Sequence, residues 1–164
     1  MPSFDVVNKL EMPEVQNAAE QARKEIIGRY DFKGTNTLLE VDEKKKEITL
    51  RSNSADRVAA AYDVLMARLM KRNISPKVLE SLANEELPGG TVKRIIKLKD
   101  GLDDVNSKKV VALIKENFPK TASASINANL VRVSSKSRDS LQDVIQFLRG
   151  QDLPVPLQFT NPRD

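Results

Sequence analysis

Apolar positions recur along this chain with two periods, and the switches between them mark out its elements. From Pro13 onward, Val15, Ala19, Ala22 and Ile26 return at helical spacing, and Pro13 suits the first helical position. A second helix begins near Ser54, a good cap, and places Val58, Tyr62, Leu65 and Leu69 on one face. Between them Leu39 and Val41, the charged turn Asp42-Glu43-Lys44-Lys45, and Ile48 and Leu50 alternating with Thr49 and Arg51 predict a hairpin. Phe4 to Leu10 alternates loosely and reads as an edge or short strand.

The second half repeats this plan. Thr91 to Lys99 predicts a strand with Val92, Ile96 and Leu98 on one face, Arg94 being the exception. A helix from about Asp103 carries Val110, Val111, Ile114 and Phe118. A second hairpin joins Ala122–Ile126 to Leu130–Ser134 around Asn127-Ala128-Asn129. Ser137 then caps a helix bearing Leu141, Val144, Ile145 and Leu148 that ends at Gly150, and Val155 to Phe159 reads as a closing strand.

Ile48-Thr49-Leu50-Arg51-Ser52 overlays Val131-Arg132-Val133-Ser134-Ser135 at an offset of about 83 residues. The same offset lays Ser54 on Ser137 and Val58 on Leu141. Each half therefore reads strand, helix, hairpin, helix and a final strand. This is the ferredoxin-like order of an α+β protein, two helices over one face of an antiparallel sheet, built here by tandem duplication. Ser81 to Gly90, with Pro88-Gly89-Gly90, is the natural junction.

Composition narrows the chemistry more than the function. The chain has neither Cys nor His, which removes disulfides, thiolate chemistry, the usual general base and any Cys/His zinc site. No Walker or Rossmann glycine pattern follows a strand, and Asp103-Asp104 at a helix start serves the helix dipole. Binding without catalysis and without a cofactor is the expectation. The N-terminal stretch has neither a basic start nor an apolar run, and no segment is long enough to span a membrane, so a cytoplasmic location is expected.

The net charge of +4 hides an asymmetry. Residues 1 to 89 hold about 14 basic and 15 acidic side chains, the remainder about 13 and 8. Lys93, Lys97 and Lys99 share a strand face with Ile95, opposite the face of Val92, Ile96 and Leu98, and Arg51 and Arg132 point outward from their own strands. Such a face suits phosphate groups. Equally, lysines keep an exposed sheet soluble. Aromatics are only 4% of residues, and neither central hairpin strand carries one, so this is not a standard reader of single-stranded RNA. The remaining stacking candidates are Phe4, Phe32 and Phe159, positions that are more often core than platform.

Pro2-Ser3-Phe4-Asp5, Tyr30-Asp31-Phe32, Leu69-Met70-Lys71-Arg72 and Leu98-Lys99-Asp100-Gly101-Leu102-Asp103 resemble the YajQ family in order and spacing. So do Lys108-Lys109-Val110-Val111, Val131-Arg132-Val133 with Lys136 and Arg138-Asp139, Leu141-Gln142-Asp143-Val144 and Leu157-Gln158-Phe159. The resemblance implies two ferredoxin-like domains that exchange first strands. One would hold residues 11–99, including strand 91–99; the other residues 1–10 with 100–164. It also implies nucleotide binding, with cyclic di-GMP or another guanine nucleotide as ligand and RNA as a further partner.

Two readings follow, with a third behind them. In one, a cyclic di-GMP-responsive adaptor passes ligand binding on to a protein or DNA partner. In another, an RNA-associated protein uses a basic sheet face. In the third, a scaffold self-associates as a homo-oligomer. The candidate contacts for a nucleotide or phosphate are Phe4, Phe32, Arg51, Lys93, Lys97, Lys99, Arg132, Lys136 and Arg138. Arg and Lys would grip phosphate, and Phe4 or Phe32 would stack a base.

Overall fold

The computed structural model describes all 164 residues, Met1–Asp164. The chain divides into two compact units, one of Leu10–Lys99 and one of Met1–Lys9 with Asp100–Asp164, called below the first and second units.

In the first unit, helix α1 (Met12–Gly28) has Pro13 in its first turn and buries Val15, Ala18, Ala19, Ala22 and Ile26. Helix α2 (Ala55–Lys71) is capped by Ser54, whose hydroxyl accepts from the Arg57 amide at 3.2 Å. It buries Val58, Ala61, Val64, Leu65 and Leu69. Its C-terminus closes through Asn73, which adopts φ 61°. Arg68–Glu25 at 2.7 Å and Arg72–Glu14 at 3.2 Å tie the two helices together.

Strands β2 (Leu38–Asp42) and β3 (Glu47–Ser52) form the expected hairpin, with Leu39 opposite Leu50 and Val41 opposite Ile48. The sheet order is β2-β3-β6-β4, where β4 is Leu79–Ser81 and β6 is Thr91–Leu98; β5 (Glu85–Leu87) also pairs with β6. Ser81–Gly90 is thus more than a plain connector, since β4 and β5 both fold back onto β6. Ile48, Leu50 and Ile96 reach zero exposure under the helices.

In the second unit the sheet order is β7-β8-β1-β9, from Ala122–Asn127, Leu130–Ser135, Ser3–Val7 and Gln158–Arg163. Helices α3 (Asp104–Asn117) and α4 (Arg138–Arg149) are capped by Asp103 and Ser137. Phe4, Val6, Val110, Ile114, Val131, Val133, Val144 and Leu148 build the core. Both sheets are antiparallel, consistent with two ferredoxin-like domains.

Two expectations need correction. Of the two readings of the first strand, short holds and edge does not: β1 has five residues, four of them buried, and lies between β8 and β9. The last strand starts later than Val155. Pro154 and Pro156 remove backbone donors, so Leu153 and Val155 enter the core from a non-strand segment. Pro162 is tolerated inside β9 because β9 is an edge strand. No helix is long and apolar enough to cross a membrane.

Candidate functional site

Pairing register decides which side chains share the sheet face turned away from the helices. In the first unit, β6 buries Val92, Ile96 and Leu98, so Lys93, Ile95 and Lys97 alternate to the open face. Lys99 follows directly after the strand, half-buried. Arg51 lies directly opposite Lys93, and Thr49 opposite Ile95. The Arg51 side chain makes no hydrogen bond or ion pair, and its Nε is buried without a partner. Like charges facing each other across strands destabilise a sheet. Arg51, Lys93, Thr49 and Ile95 line a groove of about 670 Å³, whose other wall is Glu40, Asp42, Glu43 and Glu47, with Lys44 and Lys45 at the turn.

This face is mixed in charge rather than uniformly basic. Lys97 stands between Glu47 and Glu80, and Lys93 between Arg51 and Glu85. The charge asymmetry between the sequence halves also dissolves on folding, because β6 joins the first unit. That unit then holds 17 basic against 14 acidic side chains, a balance of +3, and the second 10 against 9, a balance of +1. Arg94, the exception in its strand, projects toward the helix side. There its guanidinium lies 5.5 Å from the Tyr62 ring and donates to Asn84 at 2.8 Å.

The open face of the second unit is organised around Asp5, whose side chain is only 4% exposed. One row across the four strands reads Ser125, Arg132, Asp5, Thr160; the next reads Ser123, Ser134, Ser3, Arg163. Arg132 Nε donates to Asp5 Oδ1 at 3.1 Å. Arg163 Nη2 and Asn161 Nδ2 donate to Oδ2 at 2.9 and 3.0 Å, and Arg163 Nη1 reaches Ser3 Oγ at 3.0 Å. Burial pushes the Asp5 carboxyl up, but the bonds from Asn161, Arg132 and Arg163, with the Arg163 charge, outweigh it and hold the group below its ordinary value.

The aromatic candidates are placed otherwise than a stacking role requires. Phe4 is 3% exposed and packs edge-on against Phe159, with ring centroids 6.0 Å apart. Phe32 is 5% exposed, with the Arg29 and Arg57 guanidiniums 5.0 and 5.9 Å from its centroid. Both arginines also bind Asp31, whose carboxyl is lowered chiefly by the Arg29 hydrogen bond. The ring that does face solvent is Tyr30, 86% exposed, which the pattern of apolar positions did not single out.

Phe4 and Arg138 line a separate cavity of about 350 Å³ beside Arg163 and Pro162, and Arg138 pairs there with Asp164. Lys136 is exposed between β8 and α4. The structure therefore joins Arg51 with Lys93, and Phe4 with Arg138, and sets Arg132 against Asp5. Asp5, Asn161 and Arg163 escaped sequence reasoning. An acid between Phe4 and Val6 in an apolar strand was the available signal, because a buried carboxylate demands a cationic partner. No group of three or more Asp or Glu is placed to hold a metal ion.

Residues 2–163 match the family model described as nucleotide-binding protein YajQ-like. A protein of Anaeromyxobacter sp. (strain K) named nucleotide-binding protein is 46% identical over 164 residues, covering all of both chains. One of Trichlorobacter lovleyi with the same name is 45% identical over the same span, again covering all of both chains. A third, from Campylobacter concisus and also named a nucleotide-binding protein, is 44% identical over 159 residues, 97% of this chain and 96% of its own.

Proposed function

This chain belongs to the YajQ family, and from that premise we propose that it binds a nucleotide whose phosphates dock on Arg51 and Lys93 in the open groove of the first unit. One observation carries this reading. Two cations face each other across β3 and β6 without an ion pair, and the buried Nε of Arg51 lacks a partner. An anion would relieve both costs: the like-charge repulsion and the unsatisfied donor. Ile95 offers an apolar floor, and the carboxylates of Glu40 and Glu47 oppose the cations. A groove cationic on one side and acceptor-rich on the other suits a ligand with phosphates at one end and base N–H donors at the other.

The finer reading is a cyclic di-GMP-responsive effector that acts by binding rather than by catalysis and passes the signal to a protein or DNA partner. Supporting it are the groove's size and the lack of His and Cys, the commonest general base and the strongest side-chain nucleophile. Lys97 continues the same face and Lys99 follows directly after the strand, and both would add to the phosphate contacts.

Titration calorimetry of the full chain with cyclic di-GMP, GTP, GMP and a short RNA at moderate salt tests it. Saturable, roughly micromolar binding of a guanine nucleotide is expected, weakened about tenfold or more by Arg51→Gln with the fold unchanged by circular dichroism. Full affinity in Arg51→Gln would overturn the site. Binding of the RNA alone, falling steeply with salt, would move the function to RNA association. Binding of none would leave self-association as the reading.

A further inference from the structure

We propose that the second unit carries its own phosphoryl-binding site, formed by Arg132 and Arg163 on the open face of its sheet and held in place by the buried carboxylate of Asp5. This site stands on different residues from the groove of the first unit and does not depend on it. Asp5 is satisfied by the surrounding side chains: both its oxygens accept, from Arg132, Arg163 and Asn161. The arginines are not. Arg132 spends only its Nε on Asp5, and both its Nη groups lack a protein partner, with the side chain 43% exposed. Arg163 spends its two Nη groups on Asp5 and Ser3 and keeps its Nε free, at 36% exposure.

Charge counting points the same way. One carboxylate against two guanidiniums leaves a residual positive charge, and no other acid occupies either central row. The rest of those rows is hydroxyl-bearing: Ser125 opposite Arg132, Ser134 opposite Ser123 and Ser3, Thr160 opposite Asp5. The first unit's open face, by contrast, sets carboxylates beside its cations. A guanidinium anchored at Nε presents its remaining N–H groups as a fixed planar fork, the arrangement that grips two oxygens of a phosphate. Hydroxyls accept or donate as the phosphate oxygens require. No aromatic ring lies in these rows, so the chemistry recognised is the phosphoryl group of a phosphate ester rather than a base. Asp5 is a positioning residue: it orients the two arginines and touches no ligand.

The test is a titration of the full chain with inorganic phosphate and then pyrophosphate, read by the side-chain ¹⁵N resonances of its arginines, with sodium chloride as the ionic-strength control. Saturable shifts confined to Arg132 and Arg163 are expected, absent with chloride, and tighter for pyrophosphate. Arg132→Gln should weaken binding about tenfold, and Arg132→Lys, which keeps the charge but loses the fork, should fall between. Asp5→Asn keeps both arginines and should still weaken binding, a result mere loss of charge would not produce. Where Asp5→Asn fails to fold, the pair of Arg132 variants decides alone, since that side chain is substantially exposed. Arg51→Gln should leave these shifts unchanged, which separates this site from the groove. Non-saturable shifts shared with chloride, or unchanged affinity in Arg132→Gln, would make the cluster a purely structural ion triad and overturn the proposal. A free ester such as cyclic di-GMP and a strand of RNA would both present this group. Competition of each against pyrophosphate tells the two sources apart.

Discussion

Burial disfavours the charged form of Asp5, yet three side-chain donors and the Arg163 charge hold its pKa below the ordinary 3.8. A carboxyl that titrates lower in the folded than in the unfolded state adds stability above its unfolded pKa. That contribution fades as pH falls through the lowered folded value. Asp5→Asn should therefore cost about 1–3 kcal/mol near neutral pH, the price of leaving buried donors without a charged acceptor. In urea titrations the gap between variant and parent should shrink only below pH 3.8. A gap constant from neutral to strongly acid pH would mean that Asp5 contributes by shape alone. Position 5 also marks a limit of sequence reading. Its acidity is visible, but the arginines that answer it lie 127 and 158 residues away.

Most elements are legible from their own residues. The stripe Val15, Ala19, Ala22, Ile26 became the buried face of α1, and Ser54 and Ser137 cap α2 and α4 as their position before an apolar stripe implies. The hairpin of β2 and β3 paired Leu39 with Leu50 because only that register keeps both inside. What local pattern lacks is a strand's partners. Lys93 and Lys97 looked like a basic stripe until the register set Glu85 and Glu80 beside them. The β7–β8 turn shows a different kind of mismatch. Ala128 adopts φ 52°, a left-handed conformation costing an alanine about 1–2 kcal/mol. Ala128→Gly relieves that cost but loses about 0.5–1 kcal/mol to the greater freedom of glycine when unfolded. A net gain of about 0.5 kcal/mol is expected, seen as a higher urea midpoint with an unchanged slope. A loss instead would show that the Ala128 methyl group packs favourably.

At the scale of the whole molecule, the centre of the second unit's sheet comes from residues at opposite ends of the chain, Phe4 facing Val133 and Val6 facing Val131. The ferredoxin-like plan was readable from the repeat of hairpin and helix. The pairing of β1 with β8 was not readable from periodicity, which says nothing about partners, and the family resemblance implied only that residues 1–10 complete the second sheet. The hydrogen bond from the Gly101 amide to the Asn8 carbonyl bears on how that pairing is reached. During synthesis, β1 emerges well before β8 and must wait for it, with its apolar Phe4 and Val6 unpaired while well over a hundred residues follow. Once residues 10–99 fold, the chain flanking them is gathered, and Asn8 meets Gly101. The loop left to close between Asp5 and Arg132 is then roughly a quarter of its length in the open chain, a saving of about 1 kcal/mol in closure entropy. A first unit that folds early would splint the second and impose an order of assembly. Pulse-labelled hydrogen exchange during refolding should protect β2, β3 and β6 before β1 and β8. Simultaneous protection of both sets would deny the splint. If the order holds, a substitution that slows folding of the 10–99 core, such as Leu50→Ala, would also prolong the exposure of an aggregation-prone strand more than forty residues away in sequence.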